Sequence, residues 1–318
     1  MIKAIWAGNT PYSKFLITVG IILLSAIFFT LLSTLIATWF YGVSMTQLQE
    51  MMSDPSQPIT LSILKLVQTF SAIGTFIIPP FILALFFSER PFEYLSLART
   101  PQKVSLLLAT FIMIVSTPLV NFLGEINTHM HLPEFLKGIE DWMQDSENKA
   151  AELTKVFLDM KTPGDLVFNL FMIALLPAIG EELVFRGVVQ KIFHQWSRNA
   201  HLAVWTTAIL FSAMHMQFYG FLPRMLLGAM LGYMLVWSGS LWLPMLAHFI
   251  NNAAAVVFTY LFQHGLTSIN PDDVGTGSDF VGVGASLALT VLLFVILYRR
   301  ERTISQLVDI PNTIVSEK

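Results

Sequence analysis

The sequence predicts an all-α polytopic membrane protein with about eight transmembrane helices in one bundle, and three observations carry that expectation. Only 12% of the 318 residues are Asp, Glu, Lys or Arg, against about 25% in an ordinary soluble domain. Hydrophobic residues make up 54% of the chain and the mean hydropathy is +0.65, too apolar for a soluble surface or a disordered chain. The charges are missing in runs, and most runs reach the length of about 20 residues that a helix needs to cross a bilayer while satisfying its own backbone hydrogen bonds. A net charge of -3 and a pI near 6.2 offer no basic face. No spacing resembles a base-reading motif, so nucleic acid is excluded as a partner. With zero cysteines there are no disulfides, thiolate metal sites, Cys nucleophiles or Cys-linked lipid anchors.

The first charge-free run is Phe15 to Tyr41. It is longer than the apolar core of a cleavable signal, about 7–15 residues, and is expected to stay in the mature protein. Leu66 to Phe87 is the second span, with Pro79-Pro80 marking a kink or an early stop. Val104 to Leu123 is the third. A polar stretch from Gly124 to Asp165 follows, in which Phe135, Ile139, Trp142 and Met143 have the spacing of short amphipathic helices at the interface, a solvated loop with some helix being the alternative. The fourth span begins at Leu166 and continues through Glu181 and Glu182 to about Phe193. Asn199 to Pro223, Met225 to Trp237, Leu241 to Leu261 and Phe280 to Tyr298 complete the eight, with Ser238-Gly239-Ser240 forming a tight turn between the sixth and seventh. This divides the chain into an N-terminal three-span region with its polar outer segment (1–165), a central core (166–261), and a last span with a tail (262–318).

Charge distribution gives an orientation. With the N-terminus inside, 12 of the 18 basic residues fall on the inner side, and 14 of the 21 acids fall outside, the asymmetry expected of an inner membrane protein with both ends cytoplasmic. No inverted repeat of the kind found in many transporters is evident.

Ionisable groups inside spans cost about 2.5–3.5 kcal/mol each on insertion scales and so mark a protein interior or wet cavity. Here they form three groups. In the fourth helix Glu182 and Arg186 are four apart and can pair, a mainly structural role, while Glu181 is turned about 100° away and has no partner on its own helix. A carboxylate held in that way is suited to take and return protons near neutral pH. Pro177, one turn earlier, should kink the helix beside it. Phe211 and His215 share a face of the fifth helix; His248 and Asn252 share a face of the seventh. Together Glu181, His215, His248 and Asn252 would suit hydrolysis: a carboxylate and an imidazole to activate water, a second imidazole and an amide to stabilise an oxyanion. Each feature alone has a plainer reading as a helix–helix hydrogen bond or a structural pair, and it is their joint order along one chain that raises them above it. His129, His131, His194, His201 and His264 fall at loops or helix ends and read as solvated.

At these residues the sequence resembles the CPBP family, the intramembrane proteases named for CAAX and bacteriocin processing and also called ABI. Glu181, Glu182 and Arg186 match its EExxxR motif, Phe211 and His215 its FxxxH, and His248 and Asn252 its HxxxN. Gly228 and Gly232, leading to Gly239-Ser240-Leu241-Trp242, are similar to the family's approach to the last histidine. The resemblance covers roughly Leu166 to Tyr260 and implies peptide-bond hydrolysis in the membrane. Carried over, Glu181 would be the general base, with His215 helping to hold or deprotonate the water. His248 and Asn252 would be oxyanion donors worth about 3 kcal/mol each. Family members are described both as metalloproteases and as glutamate-dependent proteases. His215, His248 and Glu181 could complete a three-ligand zinc site with an open position, so the cofactor is unassigned between zinc and none. The chain looks like a bacterial member, acting on a membrane-associated or lipidated peptide or protein, and for it CAAX cleavage is a family label and not a substrate. Two other classes remain open: a transporter or proton relay through Glu181, His215 and His248, and a non-catalytic immunity or scaffold protein.

Overall fold

The computed structural model describes residues 4–51, 57–270, 273–276 and 280–307, and among them all regular structure is helical. Lys3 and Lys318, and the tail beyond residue 307, lie outside the described residues. Nine longer helices are described. α1 (Pro11–Tyr41) starts where the Thr10 side chain accepts from Ser13 N–H and stops at Gly42, whose φ of 66° is left-handed. α2 (Pro58–Phe87) begins eight residues before the charge-free run, because Lys65 is carried inside the helix. It passes Pro79-Pro80 without stopping, the backbone widening into a π-helical turn at Ile73–Ile77 just before the prolines. A proline lacks the N–H that would close the turn before it, and a π turn absorbs that loss. α3 is Lys103–Thr128.

The polar segment from Gly124 to Asp165 contains one long amphipathic helix, α4 (Lys137–Phe157), preceded by a 3-10 turn at Glu134–Leu136, instead of several short ones. Its far end is held to the bundle: Asn169 Nδ2 donates to the Phe157 carbonyl at 2.7 Å, and Gln263 Nε2 to that of Leu158 at 2.9 Å. α5 (Pro163–Ser197) opens with a capping box between Thr162 and Asp165. π-helical turns at Leu170–Leu175 and Phe185–Val189 flank the regular stretch Leu176–Val184 that carries Glu181 and Glu182. α6 is Ala200–Ala213, α7 Phe221–Ser238, α8 Trp242–Gln263 and α9 Phe280–Leu307. The α7–α8 turn is the expected one, with Gly239 at φ 63° and its N–H on the Leu235 carbonyl at 2.8 Å.

Seven of these helices are long and apolar enough to cross a membrane, and the chain is an integral, polytopic membrane protein. The fifth expected span is the exception. Asn199 to Pro223 is not one helix: α6 has 14 residues, about 21 Å at 1.5 Å per residue, which falls short of a hydrocarbon core of about 30 Å. The chain turns at 214–220, where Met216 has a φ of 53° and Ser212 Oγ donates to the Phe221 carbonyl at 2.7 Å. The Arg224 guanidinium folds back on the turn, donating to the carbonyl and side-chain oxygen of Gln217 at 3.1 and 2.6 Å. A Cβ on Gly220 would lie 2.3 Å from Arg224 Nη2, so a larger residue there would displace the guanidinium from the turn.

α7 packs closely on α5 and α6 through its small residues. A Cβ on Gly228 would sit 3.2 Å from Ala208 Cα, and one on Gly232 2.9 Å from Gln190 Oε1. Leu183, Val188 and Ile192 of α5 meet Leu83 and Phe87 of α2 and Leu235 of α7 in one core. Ala247 and Leu243 of α8 meet Ile112 and Met113 of α3 in another.

Candidate active site

Glu182 sits at the centre of the polar cluster. Its Oε1 accepts from Arg186 Nη1 at 2.6 Å, and the whole pair is sealed from solvent. The same oxygen lies 2.9 Å from His248 Nδ1. A carboxylate can only accept, so Nδ1 of His248 carries the proton and donates. The ring is thereby turned to aim Nε2 at Glu181, whose Oε2 stands 3.9 Å away. Glu181 keeps the partial access its partner lacks, 15% of its side chain being exposed. The expected structural pair of Glu182 and Arg186 is therefore present, and it also fixes the orientation of a histidine from another helix.

Arg186 and Gln190 extend this arrangement down α5. Arg186 Nη2 donates to the Gly228 carbonyl at 2.9 Å, and Gln190 Nε2 donates to that of Gly232 at 3.2 Å. Residues four apart on one helix thus meet glycines four apart on the other. Arg186 also lies under the Phe211 ring, 4.6 Å from its centroid, a buried cation–π contact. Phe211 is fully buried and meets both histidine rings edge-on, with centroids 5.1 Å from His215 and 6.0 Å from His248. It is the spacer between the two imidazoles.

His215, expected inside the fifth helix, lies instead in the turn just after α6. Its Nδ1 donates to the Phe211 carbonyl at 2.8 Å, which leaves Nε2 as the free nitrogen on this ring too. The carboxylate of Glu181 is within electrostatic reach of Arg186, His215 and Arg224, and His248 within reach of His215. Glu181, His215 and His248 from α5, the α6–α7 turn and α8 are therefore brought together. Asn252 stands one turn beyond His248. Its Nδ2 donates to the Ile173 carbonyl at 3.3 Å while its Oδ1 accepts from Asn251 at 3.1 Å, so the amide is oriented by α5, with one N–H uncommitted by these bonds.

Among the described residues no group of three or more His, Cys, Asp and Glu is arranged to hold a metal ion. Glu181, His215 and His248 do not form the three-ligand zinc site that their identities allow. Two participants escape the motif spacing. Gln190 has a visible signal in its position four after Arg186. Arg224 does not, because only the early end of α6 brings it within electrostatic reach of Glu147 and Glu181. The remaining histidines behave as expected for loops and helix ends: His131 pairs with Glu140 at 2.8 Å, and His129 and His264 reach backbone carbonyls of their own helices.

Residues 163–254, which hold every residue of this cluster, match the profile of the family described as type II CAAX prenyl endopeptidase Rce1-like. This core is Rce1-like. The match is confined to this segment, which is similar to the CAAX-type endopeptidase family. Two curated relatives are similar over part of the chain. A Bacillus subtilis (strain 168) protein described as "Uncharacterized protein YpbD" is 34% identical over 89 residues, 27% of this chain and 42% of the relative. An Escherichia coli "Uncharacterized 24.3 kDa protein" is 30% identical over 110 residues, 33% of this chain and 50% of the relative. The matches thus span half or less of the curated relatives. No solved structure matches.

Proposed function

We propose that the protein is an intramembrane endopeptidase that hydrolyses a peptide bond in a membrane-associated or lipidated peptide, using water activated by Glu181 and the histidines. The observation that carries this reading is the pair Glu181 and His248. Their facing atoms are 3.9 Å apart, too far for a direct hydrogen bond and close enough for one oxygen atom to bond both. His248 is held for that task by a buried carboxylate on its other nitrogen, the arrangement by which an orienting acid fixes the tautomer of a catalytic imidazole.

In the proposed reaction Glu181 takes a proton from the water as its oxygen adds to the substrate carbonyl carbon. His215 Nε2 accepts from the same water and holds it. The carbonyl oxygen, now negative, receives hydrogen bonds from a protonated His248 Nε2 and the free N–H of Asn252, each worth about 3 kcal/mol where water is excluded. The carbon–nitrogen bond then breaks, and Glu181 passes its proton to the departing amine, which regenerates the carboxylate. Arg186 pairs with Glu182, and the Glu182 oxygen between them accepts from His248.

The family match and the organisms of the relatives support a bacterial inner membrane. The test is cleavage of a library of membrane peptides, some lipidated, by purified protein in nanodiscs. Glu181→Gln is expected to slow turnover by about 10²–10⁴, the contribution of a general base. Cleavage by this variant at the parent rate removes Glu181 from the reaction.

A further inference from the structure

The second face of α7 borders a cavity that has no part in the site above. α9 packs along α3 and leans away from α7, leaving a groove of about 1110 Å³ between α3, the start of α6, α7 and α9. This exceeds the range of about 300–1,000 Å³ usual for small-molecule sites. Its α7 wall includes Met230, Tyr233 and Trp237, about 100–180° around the helix from Gly228 and Gly232, and no residue of the Glu181 cluster lines it.

The groove is apolar along its length and polar at one end. Trp237 packs between Phe294 and Tyr298, with centroids 5.4 and 5.2 Å away. The polar end is built from His201 hydrogen-bonded to the Tyr233 hydroxyl at 2.8 Å, and Arg302 Nη1 donating to the Tyr298 hydroxyl at 3.3 Å. Arg302 is at the last turn of the α9 span, which ends at Thr303. That is the depth of lipid head groups.

The neighbouring charges are arranged to leave this end positive. Arg300 Nη2 donates to Gln102 Oε1 at 2.8 Å, which ties α9 to the residue before α3. Glu301, the one acid of the run, is turned inward, buried, and hydrogen-bonded by Ser105 of α3. Arg302, the next residue, then lines the groove.

We propose that this groove is a binding site for an anionic glycerophospholipid, its acyl chains against Trp237 and Phe294 and its phosphate on Arg302 and the tyrosine hydroxyls. Aromatic rings with polar tips and an arginine at head-group depth suit such a ligand, and a charge-assisted contact to phosphate supplies the preference over a zwitterionic lipid.

The test uses the full chain in nanodiscs doped with brominated-chain phosphatidylglycerol or, at equal mole fraction, brominated-chain phosphatidylcholine. The Trp237 contribution is taken as the difference in fluorescence quenching between the parent and Trp237→Phe. Quenching by phosphatidylglycerol is expected to be several-fold stronger, and Arg302→Gln is expected to abolish that preference while leaving quenching by phosphatidylcholine unchanged. Equal quenching by the two lipids in the parent, or a preference that survives Arg302→Gln, overturns the site. Should Trp237→Phe fail to fold, native mass spectrometry of the parent and Arg302→Gln gives the same decision. Phosphatidylglycerol retained selectively by the parent alone supports the site, and equal retention of both lipids refutes it.

Discussion

α1 and α5 are both long, largely apolar helices that pass through the same bundle, and they are used in opposite ways. In α1 the buried residues are Lys14, Thr18, Ser33 and Ala37, while Leu23, Leu24, Ile27, Phe28, Leu31 and Leu35 are exposed. In α5 every residue from Glu182 to Gln190 is buried, so this helix is enclosed on all sides. Exposed apolar side chains cost nothing against lipid, which is as apolar as they are. A carboxylate or guanidinium there would cost several kcal/mol. The ionisable residues therefore sit where protein surrounds them, and protein can supply partners that lipid cannot.

The strongest way to break this contrast is at Arg186. Arg186→Ala leaves Glu182 buried beside His248 without its cation, and is expected to cost about 3–5 kcal/mol, read as a lowered thermal unfolding midpoint in detergent. A midpoint at the parent value would mean the pair is not sealed. Asn252→Ala is expected to lower kcat by about 10²–10³ with little change in KM, the signature of a lost oxyanion donor. A change confined to KM would make Asn252 a substrate-binding or structural residue instead. Gly180→Ala probes the packing behind the base, since its Cβ would fall 2.6 Å from the Phe76 Cβ. Overpacking of that kind is expected to destabilise by about 1–3 kcal/mol and to lower activity by displacing Glu181. The smallest effect belongs to the lipid-facing side: Leu24→Ala in α1 is expected to change stability by less than about 0.5 kcal/mol, and a larger loss would show that α1 has a protein partner on that face.

Composition and charge-free runs were enough to read the membrane class, the α7–α8 turn and seven of the eight expected spans, because hydropathy and length are local properties. The motif pairs could also be read from their four-residue spacing, although His215 falls in the turn after α6 and not on the helix with Phe211. The early end of α6 could not be read, because the apolar run continues unbroken to Pro223 while the chain turns on backbone conformation and the fold-back of Arg224. The bond from Glu182 to His248 was equally hidden. It joins helices 66 positions apart, and the i to i+4 pairing with Arg186 already offers Glu182 a complete explanation. Gln190 lay in plain view but gains its meaning only from Gly232, a residue whose spacing becomes significant once the two helices are in contact.

The central assignment, a water molecule activated between Glu181 and His248, is tested most directly by running the cleavage reaction in heavy-oxygen water with parent protein and Glu181→Gln in parallel. The assignment predicts that the parent releases a product whose new carboxyl group carries one heavy oxygen, and that the variant, though folded with a parent-like unfolding midpoint, releases almost none. Labelled product formed equally fast by both proteins would contradict it.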